Sequence, residues 1–176
     1  MRIVGGEYKS RVLFSFDGDS IRPTSDKVRE SIFNILQNKI YGVVFLDLFC
    51  GTGAMGIEAL SRGAKQVVFN DLARDSVALT KKNLSKLGVT DGVKVVSSDA
   101  ITLLKTTDQK FDVVYIDPPY KSDLGKRALE VVERVLSENG IAVFEDEKPY
   151  DFIVDGLEEY DRRRYGRVHL TFFRRK

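Results

Sequence analysis

The sequence predicts an α/β fold in three layers: a mostly parallel sheet covered by helices on both faces, with a C-terminal antiparallel hairpin and a short N-terminal hairpin extension. Three observations predict it. Apolar runs of strand length, near 43–48, 67–69, 93–96, 111–117 and 141–145, alternate with stretches of helical periodicity, the pattern of a parallel sheet with crossover helices. The first run ends in Asp47 and enters a turn holding Gly51, Gly53 and Gly56, spaced as in the loop that opens nucleotide-handling α/β domains. At the other end, Leu157 to Tyr165 and Val168 to Phe173 flank Gly166 and read as an antiparallel pair.

Composition narrows the classes. With 176 residues, 43% of them hydrophobic, the chain can bury a full core. It divides into an extension at 1–20 and a main domain at 21–176. A formal net charge of +2 is too small to imply a nucleic-acid partner by itself, so the placement of charge has to carry that argument. The single cysteine, Cys50, excludes an intrachain disulfide and a cysteine-cluster metal site, and no metal is expected. No run approaches the roughly 20 apolar residues of a membrane span, and the N-terminus has no apolar signal region. A cytoplasmic monomer without membrane contact is expected.

Taken in order, Ile3-Val4 and Val12-Leu13-Phe14 form the N-terminal hairpin. Arg2, Lys9 and Arg11 make it basic and Glu7, Asp17 and Asp19 partly cancel them, leaving a solvated hairpin and a nucleic-acid-contacting arm equally open. Pro23 biases Arg22 toward extended backbone. Thr24 or Ser25 then caps a helix with Val28, Ile32, Phe33, Ile35 and Leu36 at helical spacing, ending near Lys39. Packed on the sheet, it leaves Arg22, Lys27 and Arg29 toward solvent or substrate. The nearly all-apolar strand at 43–48 fits burial on both faces. The helix at 54–62 presents Met55, Ile57, Ala59 and Leu60, with Glu58 structural or solvated.

Strand two closes on Asn70-Asp71, 24 residues after Asp47. An acid there can accept both hydroxyls of a ribose, or merely start the next turn. The helix at 74–87 buries Val77, Leu79, Leu84 and Leu87, keeps Lys81 and Lys82 wet, and stops at Gly88. Asp99 after strand three either meets the amino group of an adenine or caps the helix of Ile101, Leu103 and Leu104. A crossover helix over 121–137 turns Leu124, Ala128, Leu129, Val131, Val132, Val135 and Leu136 to the sheet and ends at Asn139-Gly140. Over 158–176, seven basic residues, among them Arg162, Arg163 and Arg164, outnumber three acidic ones. They either guard a sheet edge or meet a polyanion.

Asp117-Pro118-Pro119-Tyr120 follows strand four. Two successive prolines remove two backbone donors and stiffen the loop. Held this way, the Asp117 carboxylate, the Pro118 carbonyl and the Tyr120 ring can surround one planar amine. The two acceptors take the amine hydrogens and draw electron density onto the nitrogen, aligning its lone pair with the sulfonium methyl of S-adenosylmethionine. Tyr120 stacks on the base, a contact of roughly 1–3 kcal/mol, and the charge-assisted hydrogen bonds strengthen where water is excluded. Asp117 need not deprotonate the amine beforehand, because the methylated nitrogen is acidic and loses its proton easily. The glycine turn, the two acids and this loop all fall at the carboxyl edge of one sheet, where open α/β folds bind ligands. A base within a duplex would have to be flipped out to reach them.

On these residues the chain resembles the RsmD-type guanine-N2 methyltransferases of small-subunit ribosomal RNA, within the Rossmann-like S-adenosylmethionine-dependent methyltransferases. The similarity runs almost end to end. It takes in Met1 to Arg11, Arg22-Pro23-Thr24-Ser25-Asp26-Lys27-Val28-Arg29-Glu30, Phe33 to Leu36, Leu46 to Gly53, Glu58 to Ala64, Asp99-Ala100 and Asp117 to Tyr120. The glycine turn marks only the superfamily, Asp-Pro-Pro-Tyr narrows it to amino-nitrogen transfer, and the Arg-Pro-Thr-Ser-Asp block is the most specific part. The resemblance implies a Rossmann-like methyltransferase fold and the cofactor S-adenosyl-L-methionine, bound by Asp47, Phe49, Gly51, Gly53, Asp71, Asp99 and Thr24. It implies a catalytic loop of Asp117, Pro118, Pro119 and Tyr120, with the N-terminal hairpin and Arg22-Pro23-Thr24 at the cofactor and RNA entrance.

Candidate RNA contacts are Arg2, Lys9, Arg11, Arg22, Arg29, Arg162, Arg163 and Arg164, and the implied partner is ribosomal RNA, naked or in a partly assembled small subunit. Two departures stand out. Asn70-Asp71-Leu72-Ala73 replaces a frequent Val-Glu-Lys-Asp, and Cys50 and Thr52 stand where Ala or Ser is common. Two other functions remain in view. One is amine methylation of adenine or cytosine in DNA or another RNA, for which the chain has little room for a target-recognition domain. The other is a non-catalytic ribosomal-RNA-binding assembly factor that keeps the fold.

Overall fold

The structure, a computed structural model, describes residues 1–16, 25–120 and 122–176. Arg22 and Thr24, expected at the cofactor and RNA entrance, lie outside the described residues. Strands β1 (Val44–Asp47), β2 (Gln66–Asp71), β3 (Val93–Ser97), β4 (Phe111–Ile116), β5 (Leu136–Asp146), β6 (Leu157–Tyr165) and β7 (Val168–Arg175) form one sheet in the order β3-β2-β1-β4-β5-β7-β6. The first five are parallel, and β7 runs antiparallel to both β5 and β6. The chain winds outward from β1 to β3 and then resumes on the other side of β1 with β4. That reversal opens a crevice at the carboxyl ends of β1 and β4.

Alternation along the strands divides the core. Phe45, Val67, Phe69, Val113 and Val143 pack with Ile32 and Phe33 of α1 (Asp26–Ile35), Met55 and Ile57 of α2 (Ala54–Ser61) and Leu84 of α3 (Arg74–Leu87). Leu46, Val68, Val114, Ala142 and Phe144 face the other way, onto Ile101 and Leu104 of α4 (Ala100–Thr106) and Ala128 and Leu129 of α5 (Leu124–Val132). The result is the expected Rossmann-like three-layer sandwich. Among the described residues, no helix is long and apolar enough to cross a membrane.

Local chemistry sets the helix ends. Ser25 accepts the Val28 N–H and starts α1, so of the two expected caps Ser25 is the one seen. Gly88 ends α3 in the left-handed region, as its position after the apolar stripe predicts. The crossover helix is shorter than expected. It stops at Val132, a 3-10 turn covers Glu133–Val135, and Leu136 already pairs with Phe111 in the sheet. Val131 and Val132 are poor helix formers, and Arg134 donates to the carbonyls of Leu104 and Thr107 at the end of α4, which turns the chain early. Asn139-Gly140 therefore lies within an irregular strand.

The N-terminal residues double back through a single Arg2–Val12 bridge, with Ile3 and Leu13 buried. They are held less by a strand ladder than by α2. Val4 N–H donates to the Glu58 carboxylate, and Tyr8 N–H to the Ser61 hydroxyl. Glu58 is completely buried and receives Arg62 at 2.8 Å and Arg29 at 3.5 Å. Arg29, expected to face solvent or substrate, is itself only 1% exposed. It also donates to Asp26 and to the Arg2 carbonyl, because a buried acid on the neighbouring helix draws the guanidinium inward.

Gly56 shows how closely α2 lies on the sheet. A Cβ there would stand 2.2 Å from Phe69 and 2.8 Å from Val67. Gly56→Ala is expected to destabilise the fold by about 1–3 kcal/mol through overpacking, read by urea unfolding. Combining it with Phe69→Leu should recover at least ~0.5 kcal/mol relative to additivity. Additive losses would place the strain elsewhere.

Candidate active site

The crevice holds a cavity of about 870 Å³. Its walls are the glycine turn after β1, the ends of β2 and β3, the Asp-Pro-Pro-Tyr loop after β4, and Met1, Ser15 and Phe16 from the N-terminal segment.

Asp47 is fully buried at the end of β1. Its Oδ2 accepts the Gly56 N–H at 2.9 Å, locking the strand end to the first turn of α2, where the helix dipole favours an acid. Its Oδ1 has no partner among the described residues. Burial raises its pKa to about 7, against the opposing Gly56 hydrogen bond and with help from the negative charge of Asp71.

Between strand and helix, Gly51 and Gly53 both have positive φ, 54° and 80°, a conformation that side chains resist. The turn is pinned from β2. Cys50 N–H donates to the Asn70 carbonyl at 2.8 Å, and Gly51 N–H to Asp71 Oδ2 at 2.9 Å. Thr80 Oγ1 donates to the Gly51 carbonyl. Gly53 is not on the cavity wall; it shapes the turn behind it, where a Cβ would meet Thr80 at 2.9 Å. Cys50 is buried with its Sγ 3.4 Å from Thr80 Oγ1, and burial, reinforced by Asp47, pushes its thiol pKa up.

Asp71 lines the cavity with both carboxylate oxygens already engaged, Oδ2 by Gly51 and Oδ1 by the Ala73 N–H at 2.9 Å. A carboxylate accepts about four hydrogen bonds, so lone pairs remain for hydroxyls, but replacing Asp71 would loosen the turn as well. Asp99 lines the cavity too, and its Oδ1 accepts both the backbone N–H of Thr102 at 2.8 Å and its hydroxyl at 2.9 Å. Those bonds hold the Asp99 carboxyl below the usual range. The capping role left open by the sequence is therefore present.

After β4, Asp117 is half-buried, Pro118 buried, and Pro119 and Tyr120 exposed. Ser122 donates to the Pro119 carbonyl at 2.7 Å and closes the loop. All four residues of this loop border the same cavity as Phe49, Gly51 and Asp71.

Several neighbours escaped the sequence reading. Asn70 donates to the carbonyls of Leu48 and Ser98, lacing three strand ends together, while its buried Oδ1 has no partner among the described residues. Tyr115 lines the cavity two residues before Asp117 and donates its hydroxyl to the buried carboxylate of Glu145. Alternation along β4 places residues 115 and 117 on one face, a signal that was available. Asn83, an amide in the apolar stripe of α3, binds the backbone of Phe14 and of Thr52.

The basic candidates scatter. Lys9 and Arg11 sit on the N-terminal turn packed at the Ser61 end of α2, the opposite end from the glycine turn. Arg2 pairs with Asp26 at 3.2 Å. Ile116, Phe144, Thr171 and Arg162 share one row across the sheet. The arginines at 162–164 thus stand at the carboxyl edge but three strands from β4, about 14 Å by strand spacing. Arg162 is paired with Glu159 at 2.7 Å and Arg163 with Asp161 at 3.1 Å.

Residues 1–174 match the family model described as Conserved hypothetical protein 95. YlbH of Bacillus subtilis (strain 168) is 34% identical over 183 residues, covering all of both chains. Ribosomal RNA small subunit methyltransferase D of Haemophilus influenzae is 35% identical over 153 residues, 84% of this chain and 79% of its own. Among solved structures, the Escherichia coli protein yhhF matches at a TM-score of 0.89 with 30% identity, over 100% of this chain and 98% of that one.

The raised pKa of Asp47 has a pH signature. Unfolded, the residue ionises near the ordinary ~3.9; folded, it keeps its proton to about pH 7. Its contribution to stability is therefore complete below about pH 4 and is lost as pH rises to about 7, by up to roughly 4 kcal/mol. Urea unfolding of the wild type and Asp47→Asn at pH 5 and pH 8 checks this. The variant should gain relative to the wild type at the higher pH, and parallel pH profiles would exclude the shift.

Proposed function

The chain belongs to the RsmD family of methyltransferases, and from that premise we propose that it transfers a methyl group from S-adenosyl-L-methionine to the exocyclic N2 amine of a guanine in small-subunit ribosomal RNA. One observation carries the reading: the proline-stiffened loop and the glycine-lined cleft border a single cavity. The substrate class follows the name of the Haemophilus influenzae relative.

The lining suits such a cofactor. The buried oxygens of Asp47 and Asn70, without a partner among the described residues, call for donors, which an amino-acid ammonium and ribose hydroxyls provide. Ionised Asp47 is costly when alone and favourable beside a cation. Asp71 keeps lone pairs for hydroxyls, Asp99 lines the same cavity beyond the adjacent strand end, and Phe49 supplies an apolar surface. S-adenosylmethionine, when bound, supplies a methyl group on a positively charged sulfur.

The chain's own residues orient the amine. Asp117 and the Pro118 carbonyl accept its two hydrogens, so the nitrogen lone pair is left to point across the cavity. Tyr120 stacks on the base and fixes its plane. Much of the gain is alignment of the reacting groups, and the remainder comes from acceptors already in place where charge develops. When the nitrogen becomes positive on methylation, it releases a proton to Asp117 or to water.

Incubation with unmodified small-subunit ribosomal RNA, followed by nucleoside chromatography, should yield N2-methylguanosine; N6-methyladenosine as the sole product would sink this reading. Asp117→Ala should lower the transfer rate by about 100-fold or more while leaving RNA affinity nearly unchanged. Full activity in that variant would remove Asp117 from the chemistry.

A further inference from the structure

We propose that Phe14, Lys82 and Lys86 form an RNA-binding patch on the rim of the cavity, which holds the single-stranded nucleotides flanking the target base. The proposal rests on the RNA substrate argued above and names a surface for it.

Lys82 and Lys86 lie four residues apart on α3, on one exposed face. Each ammonium stands 4.2 Å from the centroid of the Phe14 ring. Phe14 is 37% exposed, unusual for so large an apolar side chain in this fold. Its position is nevertheless fixed. Asn83, fully buried between the two lysines in sequence, accepts the Phe14 N–H at 2.7 Å and donates to the Phe14 carbonyl at 3.1 Å. The same amide donates to the Thr52 carbonyl in the glycine turn at 2.9 Å. The next two residues, Ser15 and Phe16, are on the cavity wall. One side chain thus holds the exposed ring in register with the floor of the site.

Charge points to a polyanion. From Ser76 to Thr90 there is no acidic residue, and among the described residues Lys81, Lys82 and Lys86 have no ion pair. In the more basic C-terminal hairpin, four of the seven basic residues, Arg162, Arg163, Arg174 and Arg175, already have an acidic partner, which a phosphate would first have to displace. Two ammoniums drawn to one ring also repel each other, and phosphates relieve that repulsion. As the flexible lysines move to the backbone, they leave the ring to a base. Cationic groups beside an aromatic platform are the usual means of holding single strands. A nucleotide turned out of its stack leaves neighbours in need of such a platform.

The test is binding of an unmodified small-subunit ribosomal RNA transcript at several salt concentrations, beside methyl transfer to the same RNA. For Lys82→Ala combined with Lys86→Ala, the slope of log affinity against log salt should become shallower by about 1.4, with S-adenosylmethionine affinity unchanged by calorimetry. Phe14→Ala should weaken RNA binding about tenfold at fixed salt, Phe14→Trp should restore it, and neither should change the slope. Wild-type slope and affinity in the lysine double variant would overturn the patch, even if the wild type methylates RNA. A shallower slope in that variant, from a wild-type protein that methylates no RNA, would keep the patch and discard the enzymatic reading.

Discussion

A buried carboxylate at the end of the first strand organises this molecule. Asp47 holds the first turn of α2 through Gly56, and this short link forces the chain between them into the left-handed turn of Gly51 and Gly53. Because the acid is out of contact with water, it favours the neutral form unless a donor or cation faces it. The residue that defines the backbone of the cleft is thus also one whose ionisation responds to what enters the cleft. Asn70 and Asp71 brace the same turn from the next strand, so the site is supported by the sheet and not by loops alone.

A second buried group fixes the N-terminal segment. Glu58 binds the N-terminal segment, Arg62 and Arg29 at once, and the segment it holds continues into the Ser15 and Phe16 wall. Asn83 anchors that wall at its other end. Removing water from such a network leaves each charge dependent on its partners. The N-terminal residues are therefore part of the architecture of the cavity, although the sequence presents them as an appendage.

Legibility followed the range of the interactions. The helix at 74–87 was readable to its last residue because apolar spacing and Gly88 are both local signals. The Asp-Pro-Pro-Tyr loop and glycine turn were readable for the same reason, and parallel winding brings them to one edge. Of the two directions open to Arg29, solvent is ruled out by its burial, which depends on Glu58, a residue 29 positions away on another helix, while the guanidinium still borders the cavity. The crossover helix was drawn too long because its end is set by Arg134 reaching to α4. Asp99 could not be resolved from spacing, since a cap and a ligand contact need the same carboxylate in the same place. Counting arginines likewise overlooked that several of them are already neutralised by neighbouring acids.

Cys50 gives the turn an unforeseen property. The chain's lone thiol is enclosed beside Thr80 and kept protonated by its surroundings, and the protonated form is a poor nucleophile. Cys50 is 6% exposed on the cavity wall, and reagent reaches its thiol faster whenever the glycine turn lifts away from α3, a far smaller event than loss of the sheet. Its modification rate is thus a built-in clock for the breathing of the cleft floor, readable without any added probe.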